Sequence, residues 1–440
     1  MKVLLFRDPV HGFIEVTDLE KAIIDSPPFQ RLRNIRQLAN TYLVYHGAEH
    51  TRFGHSLGVM HLVTRSFDSI IQKHPLLFDT NKIKWYRQIL RLIALTHDLG
   101  HAPFSHVSED LFPTGLEHES YTKKIIFETC IADYIKNIGN CFVKKLGTDY
   151  NIDPELIWMI YEGKAITDRR FIHPDFAFLR SLMDGEIDCD KMDYLLRDSL
   201  YCGVSYGTYD LNRFISCLTI YKNDQTKELS LAVERGGLQA LEEFILARYF
   251  MFIQVYFHKT RRYFDRVLIE CLKAILPDSK YPMEILEYLK WDDVRVLNTI
   301  ANLVGNKEAN KWLIKYNTRK TMTCIFDTSA HAIDAENESF IMAKNYLKQH
   351  IPQELMLEDY ADKQVHNLIP QLRQPYDDSG AGIKIIVKDS DEPHDIKRES
   401  LLLKSFTEPI VIKRIYVEKE VEQQAINLLK SLRGDEINEK

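Results

Sequence analysis

Ile93-Ala94-Leu95-Thr96-His97-Asp98-Leu99-Gly100-His101 is an apolar run that ends in an imidazole and a carboxylate side by side. Just before it, residues 85–96 place Ile89, Leu92 and Ile93 on one face and Arg87 and Arg91 on another, the period of an amphipathic helix. Gly100 and Pro103 are expected to stop that helix. An unpaired carboxylate in an otherwise apolar stretch is costly, and a bound cation would remove that cost. Two other segments complete the set: Arg52-Phe53-Gly54-His55 upstream and Asp188-Cys189-Asp190-Lys191 downstream. His55, His97, Asp98 and Asp190 together are two imidazoles and two carboxylates. That mixture suits a divalent metal that activates water: Fe, Mn, Co, Ni or Zn, and Mg less well. Singly, each residue has a structural explanation. A cationic His favours a helix C-terminus, and Asp190 suits a helix N-cap. Their joint occurrence points to metal.

Composition narrows the class. The chain has 440 residues, 45% hydrophobic and 27% charged, enough apolar material for a large core. A formal net charge of -6 provides no global basic field to recruit nucleic acid, which is an unexpected partner, although a local basic pocket is compatible with it. The seven Cys are scattered and contain no Cys-x-x-Cys, the pattern of reduced thiols rather than disulfides or a zinc ribbon. The N-terminal apolar stretch is cut by charges, unlike a signal peptide. No run reaches the ~18 apolar residues of a membrane span. A cytoplasmic location away from membranes is expected.

Most of residues 1–275 reads as helix. Residues 56–72 are amphipathic, with Leu57, Met60, Leu62 and Ile70 as core candidates. Residues 238–275 form an aromatic-rich helical stretch carrying the basic cluster His258-Lys259-Thr260-Arg261-Arg262. Pro277, Asp278 and Pro282 suggest a boundary, dividing the chain into 1–275 and a C-terminal region, 276–440, suited to oligomerisation or regulation. In that region 283–350 reads as short helices and 377–382 as a loop. Residues 383–387 and 410–417 read as β-branched strands, and 418–433 as a closing helix. The fold class expected is mainly α, with a smaller α/β C-terminal region.

The quoted residues resemble a known family. His55, His97-Asp98 and Asp190 match the H…HD…D signature of the HD-domain phosphohydrolases. Asp8-Pro9-Val10-His11-Gly12, Phe29-Gln30-Arg31-Leu32-Arg33, the stretch from Arg52 to Gly58, that from His97 to His106 and that from Asp188 to Asp198 look like its deoxynucleoside triphosphate triphosphohydrolase branch. The resemblance spans roughly residues 5–275. No SAM domain precedes the motif, so the shorter bacterial form is expected. The resemblance implies an HD helical bundle and a metal-dependent reaction: a dNTP substrate and water give deoxynucleoside and tripolyphosphate. His55, His97, Asp98 and Asp190 would hold the metal. Arg52 and Lys191 would clamp phosphate, with a surface salt bridge as the structural alternative for Arg52. His101 would contact phosphate and His106 would be the general acid. His118, oriented by Glu119, would support catalysis. The sequence leaves open which imidazole gives the proton.

For the sugar, Tyr194 would pack on the ring, Leu38 would fill the space near C2′, and Gln37 and Asp198 would bind the 3′-OH. Asp190, Tyr194 and Asp198 recur every four residues, on one face of a helix. A second site for a GTP or dNTP effector, bridging subunits of a homotetramer or other homo-oligomer, would use residues matching Asp25, Gln30 and Arg33. An intrachain salt bridge is the structural alternative for Asp25 and Arg33. The competing functions are another HD phosphohydrolase (a nucleoside monophosphatase or a phosphodiesterase) and a non-catalytic nucleotide sensor or nucleic-acid scaffold.

Overall fold

The computed structural model describes residues 2–163, 175–223, 228–306, 310–366, 383–388, 392–406 and 408–438. The loop expected at 377–382 lies outside the described residues. The chain is mainly helical, with small sheets and a C-terminal α/β region.

The first seventeen residues depart from the helical expectation. Val3–Asp8 and Gly12–Thr17 pair antiparallel, Val3 opposite Thr17 and Asp8 opposite Gly12. The strand period sends Ile14 and Val16 into the core and leaves Leu5 and Phe13 exposed. Asp8 Oδ1 closes the turn by accepting from the amides of Val10 and His11, both at 2.9 Å. Gly12 supplies the positive φ (76°) that the turn requires. Thr17 and Glu20 then form a capping box that starts the helix Asp18–Ile24.

Two long helices carry the sequence motifs. Arg52–Lys73 packs against Thr80–Thr96 and against Cys189–Cys202. Every residue from Gln88 to Thr96 is buried, so the second helix is not amphipathic over its last turns. Arg91, expected on a polar face, lies inside with Glu20. Its Nε donates to Glu20 Oε1 at 2.6 Å and its Nη2 to Oε2 at 2.7 Å. The helix ends at Thr96, before Gly100. Gly100 has another use. A Cβ there would stand 2.1 Å from the carbonyl oxygen of His118, so its absence lets the His118–Glu128 helix meet the motif.

The expected helix over 238–275 is interrupted. Leu238–Met251 passes into a π-helical turn, Phe252–Tyr256, and a new helix runs over Lys259–Ile275. Such a turn shifts the register of the side chains that follow it, and here it turns Tyr256 towards Asp198 (2.7 Å). The basic cluster is partly internal, since Arg262 Nη2 pairs with buried Asp359 at 2.6 Å.

In the C-terminal region, Ile410–Val417 is the central strand of a three-stranded sheet, antiparallel to Thr323–Asp327 on one side and Met356–Lys363 on the other. Its β-branched residues were legible; its partners were not, and Thr323–Asp327 falls where only helices were expected. Lys384–Ile386 joins Leu218–Lys222, Leu229–Glu234 and His394–Asp395 in a second sheet. The closing helix is Glu422–Asn438. One hydrophobic core runs from Ile14 to Tyr416 across the Pro277–Pro282 segment. Among the described residues, no helix is long and apolar enough to cross a membrane.

The Glu20–Arg91 pair is a test of this packing. Burial alone would raise the Glu20 carboxyl, but hydrogen bonds and charge from Arg91, with Thr17 and Gln88, hold it below its usual value of 4.5. A depressed folded value stabilises the protein above pH 4.5, and that contribution is lost as pH falls through the folded value. Glu20→Gln leaves a buried guanidinium without its counter-charge. We expect a loss of about 3–5 kcal/mol, seen as a lower melting temperature at pH 7 and a smaller gap from the wild type under acid conditions.

Candidate active site

Each metal-ligand candidate is aimed by a neighbour. His97 caps the end of Thr80–Thr96, and its Nδ1 donates to the Ala94 carbonyl at 2.8 Å. This leaves Nε2 directed inward, buried and without a partner. His55 Nδ1 donates to Asp193 Oδ2 at 2.8 Å, so its Nε2 also faces inward. Asp188, not Asp190, is the N-cap of Cys189–Cys202, accepting from the Lys191 amide at 2.8 Å. Asp190, in the first turn, is therefore not used as the cap and faces the two imidazoles. His55 Nε2 lies 2.8 Å from Asp190 Oδ1 and 3.7 Å from Asp98 Oδ2. His97 Nε2 lies 3.3 Å from Asp98 Oδ1 and 3.7 Å from Asp190 Oδ1.

Two imidazole nitrogens with their other ring atoms already committed, and two carboxylates within 4 Å of them, fit a divalent cation. The orphaned Nε2 of His97 is the atom that most requires one. Burial disfavours a charged His55, yet Asp190 and Asp193 push it up to about 10. Asp98, buried but beside Arg52 and His97, is held well below the usual carboxylate range.

These groups form part of the wall of a cavity of about 1130 Å³. Thirteen of the sequence-predicted residues line it: Gln37, Leu38, Arg52, His97, Asp98, His101, His106, His118, Glu119, Asp190, Lys191, Tyr194 and Asp198. His55 is fully buried behind them. Arg52 is no surface residue. Its Nη1 donates to Asp98 Oδ2 at 2.6 Å and its Nε to Ser105 Oγ at 2.8 Å. Lys191 Nζ reaches Asp188 Oδ2 at 2.5 Å and the Gly185 carbonyl at 2.8 Å. Asp198 is engaged on both oxygens, by His50 Nε2 at 2.8 Å and by the Tyr256 hydroxyl at 2.7 Å. Gln37 Oε1 is buried without a partner.

Beside the ligands is a second cluster, three imidazoles around one carboxylate. His106 Nδ1 is 2.8 Å and His118 Nδ1 2.9 Å from Glu109 Oε1, and Glu119 Oε2 is 3.3 Å from the same His118 atom. The rings of His101 and His118 stack at 4.1 Å. His101, desolvated and facing the Arg52 and His118 charges, is held well below its ordinary value and stays neutral. His118 is raised: burial opposes its charge, but Glu109 outweighs it. His106 is at the mouth, its side chain 65% exposed.

Sequence reasoning missed several residues here. Glu109 follows His106 by three, a spacing that could have flagged it. Asp193 points away from the cavity to His55, His11 and Arg197. Asp293 accepts from the amides of Arg36 (3.0 Å) and Phe104 (2.8 Å). Phe104 and Ser105 have positive φ of 59° and 55°, so this carboxylate holds a strained turn whose Ser105 hydroxyl positions Arg52. No local pattern ties Asp293 to that turn. Asp25, Gln30 and Arg33 do not line the cavity. Asp25 pairs with Lys21, while Arg33 Nε donates to Gln30 Oε1 at 2.8 Å and its guanidinium covers the Phe53 ring at 3.5 Å. The Asp25–Arg33 salt bridge does not form.

Two protein-family models match segments of the chain. Residues 52–141 match the HD domain family and residues 209–353 the HD associated region. The uncharacterized protein YwfO of Bacillus subtilis is 36% identical over 270 residues, 61% of this chain and 55% of that protein. Deoxynucleoside triphosphate triphosphohydrolase SAMHD1 of Danio rerio is 32% identical over 233 residues, 49% of this chain and 36% of that protein. The chain spans just over half the length of the curated relatives it matches first. The crystal structure of a hypothetical protein from Aquifex aeolicus superposes with a TM-score of 0.77 at 33% identity, over 97% of this chain and all of that one. HD domains bind divalent metal, and His55, His97 and Asp98 form a cluster able to hold one.

Removing a ligand tests that cluster directly. We expect His97→Ala and Asp98→Ala each to bring bound transition metal close to zero by elemental mass spectrometry, with helical circular dichroism retained. Full metal occupancy in either variant would contradict the assignment.

Proposed function

The chain belongs to the HD-domain family, and on that premise we propose that it is a metal-dependent phosphohydrolase acting on deoxynucleoside triphosphates. One observation carries the reading: the metal-ligand set shares one cavity with an imidazole–carboxylate cluster, cationic side chains and the Gln37–Leu38, Tyr194 and Asp198 group. A bound divalent ion would polarise a phosphate oxygen and lower the pKa of water. The protein's own groups do the rest. Water attacks the α-phosphorus, the bond to the 5′ oxygen breaks, and that oxygen takes a proton, so a dNTP and water yield deoxynucleoside and tripolyphosphate.

His106 is the general acid in this reading. Glu109 engages its Nδ1 at 2.8 Å, which leaves Nε2 as the atom that gives the proton. His118, whose charged form Glu109 and Glu119 favour, supports it and draws on phosphate charge. Neutral His101 donates a hydrogen bond to phosphate. Arg52, fixed by Asp98 and Ser105, and Lys191 neutralise the phosphates nearest the ligands. Tyr194 packs on the sugar and Leu38, 8% exposed, fills the space a 2′-OH would need. Gln37, whose Oε1 lacks a partner, accepts from the 3′-OH. Asp198 assists by holding His50 and Tyr256 at that end of the cavity.

Product chromatography tests the reaction. With metal present, dATP is expected to release tripolyphosphate as the first product and ATP to turn over far more slowly. Orthophosphate with dADP, or pyrophosphate with dAMP, would place the attack elsewhere, and equal turnover of ATP would remove the role given to Leu38 and Tyr194.

We also propose a regulatory nucleotide site at Asp25, Gln30 and Arg33, in a homo-oligomer whose assembly a GTP or dNTP effector favours. The support is that these three polar side chains are outside the catalytic cavity, and that Asp25 and Arg33 do not neutralise each other. Coupling of this kind is typically ~1–3 kcal/mol. Arg33→Ala should raise the effector concentration for half-activation while metal content and basal rate hold. A wild type that responds to no guanine or deoxynucleotide effector would dismiss the regulatory site.

A further inference from the structure

Glu109 faces three imidazoles, and hydrogen bonds do not satisfy all of them. Its Oε1 is 2.8 Å from His106 Nδ1, 2.9 Å from His118 Nδ1 and 3.7 Å from His101 Nδ1. The His106 contact is a formed hydrogen bond. The His118 nitrogen is close but not aligned. It is buried without a hydrogen-bond partner, as are His101 Nδ1 and Glu119 Oε2. At His101 the conflict is plain. Its Nε2 is 3.2 Å from Asp98 Oδ1. An ionised Asp98 can only accept, so the ring proton is on Nε2 and Nδ1 turns a lone pair towards Glu109. A lone pair and a carboxylate oxygen that meet in a buried site with no donor between them are unfavourable. A cation among these atoms removes the conflict.

The dimensions admit one. Among the described residues, one ligand atom from each of His101, His106, Glu109 and His118 lies within 4.8 Å of all the others. Zinc holds an imidazole nitrogen at about 2.0–2.1 Å, and tetrahedral bonds of that length set ligand atoms roughly 3.3 Å apart. The contacts to Glu109, from 2.8 to 3.7 Å, bracket that spacing. Three nitrogens and one carboxylate oxygen are donors that zinc takes. None of the four belongs to the His55, His97 and Asp98 group. His106, with its side chain 65% exposed at the cavity mouth, gives an ion a way in.

We propose that His101, His106, Glu109 and His118 form a second, separate metal site, suited to Zn2+, whose filling opposes catalysis. Four protein ligands close the coordination shell, whereas a catalytic zinc keeps a position open for water. The ion therefore does not act on substrate. It binds His106 through Nδ1, displaces that proton to solvent and takes the carboxylate that serves the ring. A filled site thus withdraws the proton donor. The inhibition rests on His106 being the general acid of the nucleotide reading; the metal site does not. Because binding must break the His106–Glu109 hydrogen bond, this site is the weaker of the two and fills only when zinc is added.

The test is calorimetric titration of Zn2+ into the full chain already holding its first metal, and into Glu109→Gln and His106→Ala in the same state. The wild type should take up one further ion. Loss of an outer partner alone costs about 10–100-fold in metal affinity, so loss of a ligand in either variant should cost at least that, with the first metal retained by elemental mass spectrometry. Co2+ added in place of Zn2+ should give the intense visible absorption of four-coordinate cobalt in the wild type and not in Glu109→Gln. A wild type that binds no further ion, or a further ion held equally well by both variants, overturns the site. Should Glu109→Gln not fold, unchanged zinc affinity in His106→Ala, which alters an exposed side chain, overturns it instead. Turnover of dATP by the wild type should fall severalfold as the second ion binds and return when a chelator strips it. Unchanged turnover with the second ion bound keeps the site and overturns its inhibitory role. A chain that binds the second ion and cleaves no dNTP keeps the site and removes the hydrolytic reading, and the inhibitory role with it. Cleavage of dNTPs by a chain that binds no second ion does the reverse.

Discussion

The carboxylate of Asp193 is fully buried and holds three elements in one geometry. It accepts from His55 Nδ1 at 2.8 Å and His11 Nε2 at 2.6 Å, and from Arg197 Nε and Nη2 at 2.8 and 2.9 Å. Arg197 continues to Asp8 Oδ2 at 3.0 Å. The N-terminal hairpin, the helix carrying His55 and the helix carrying Asp190 are thereby tied together through charge that water does not screen. Desolvation would raise the Asp193 carboxyl, but Arg197, His11 and His55 hold it well below the carboxylate range, so it stays ionised. Room for it is made by Gly58. A Cβ at that position would stand 1.8 Å from Asp193 Oδ1 and 2.5 Å from Arg197 Nη2. Neither atom can move aside, because each is fixed by further buried partners. The glycine costs the helix some intrinsic stability; what it secures is the distance between His55 and Asp190.

A second constraint comes from residues 288–293. Tyr288 donates to the Gly100 carbonyl at 2.6 Å, Arg31 bridges the Trp291 and His101 carbonyls at 2.9 Å each, and Asp293 holds the amides of Phe104 and Arg36. The turn after the His-Asp pair is therefore clamped from a segment nearly two hundred residues away. Without that clamp, two successive non-glycine residues at positive φ would relax. Arg52 would then lose the Ser105 oxygen that aims it at Asp98.

The site that results is electrically divided. Carboxylates gather at the ligand end beside His101, pushed below its ordinary value, and His118, raised above its own, and lysine and arginine side chains line the same cavity. Burial and neighbours differ from one imidazole to the next, so His101 is pushed down where His118 is raised without any change in residue type.

Sequence alone pointed to His55, His97 and Asp98, a cluster able to hold a metal, and to thirteen of the residues that line the cavity, since their identities are chemical and they sit in short motifs. His97-Asp98 within an apolar run cannot be read from composition as anything so economical as a metal pair. It also determined Ile410–Val417 as a strand, because β-branched residues in succession suit few other conformations. Tertiary structure decided what those residues touch. That Arg91 is buried with Glu20, that Asp188 and not Asp190 caps its helix, and that Gly100 admits the His118 carbonyl all depend on distances between segments. The N-terminal hairpin and the partners of the central strand escaped the sequence reading because a strand's hydrogen bonds belong to another strand, and local periodicity carries no record of which one. The same holds for Glu109, Asp193 and Asp293: each is an ordinary charged residue on its own helix or turn, and only the surroundings assembled by folding give it a metal-ligand candidate, a ring or a strained turn to hold.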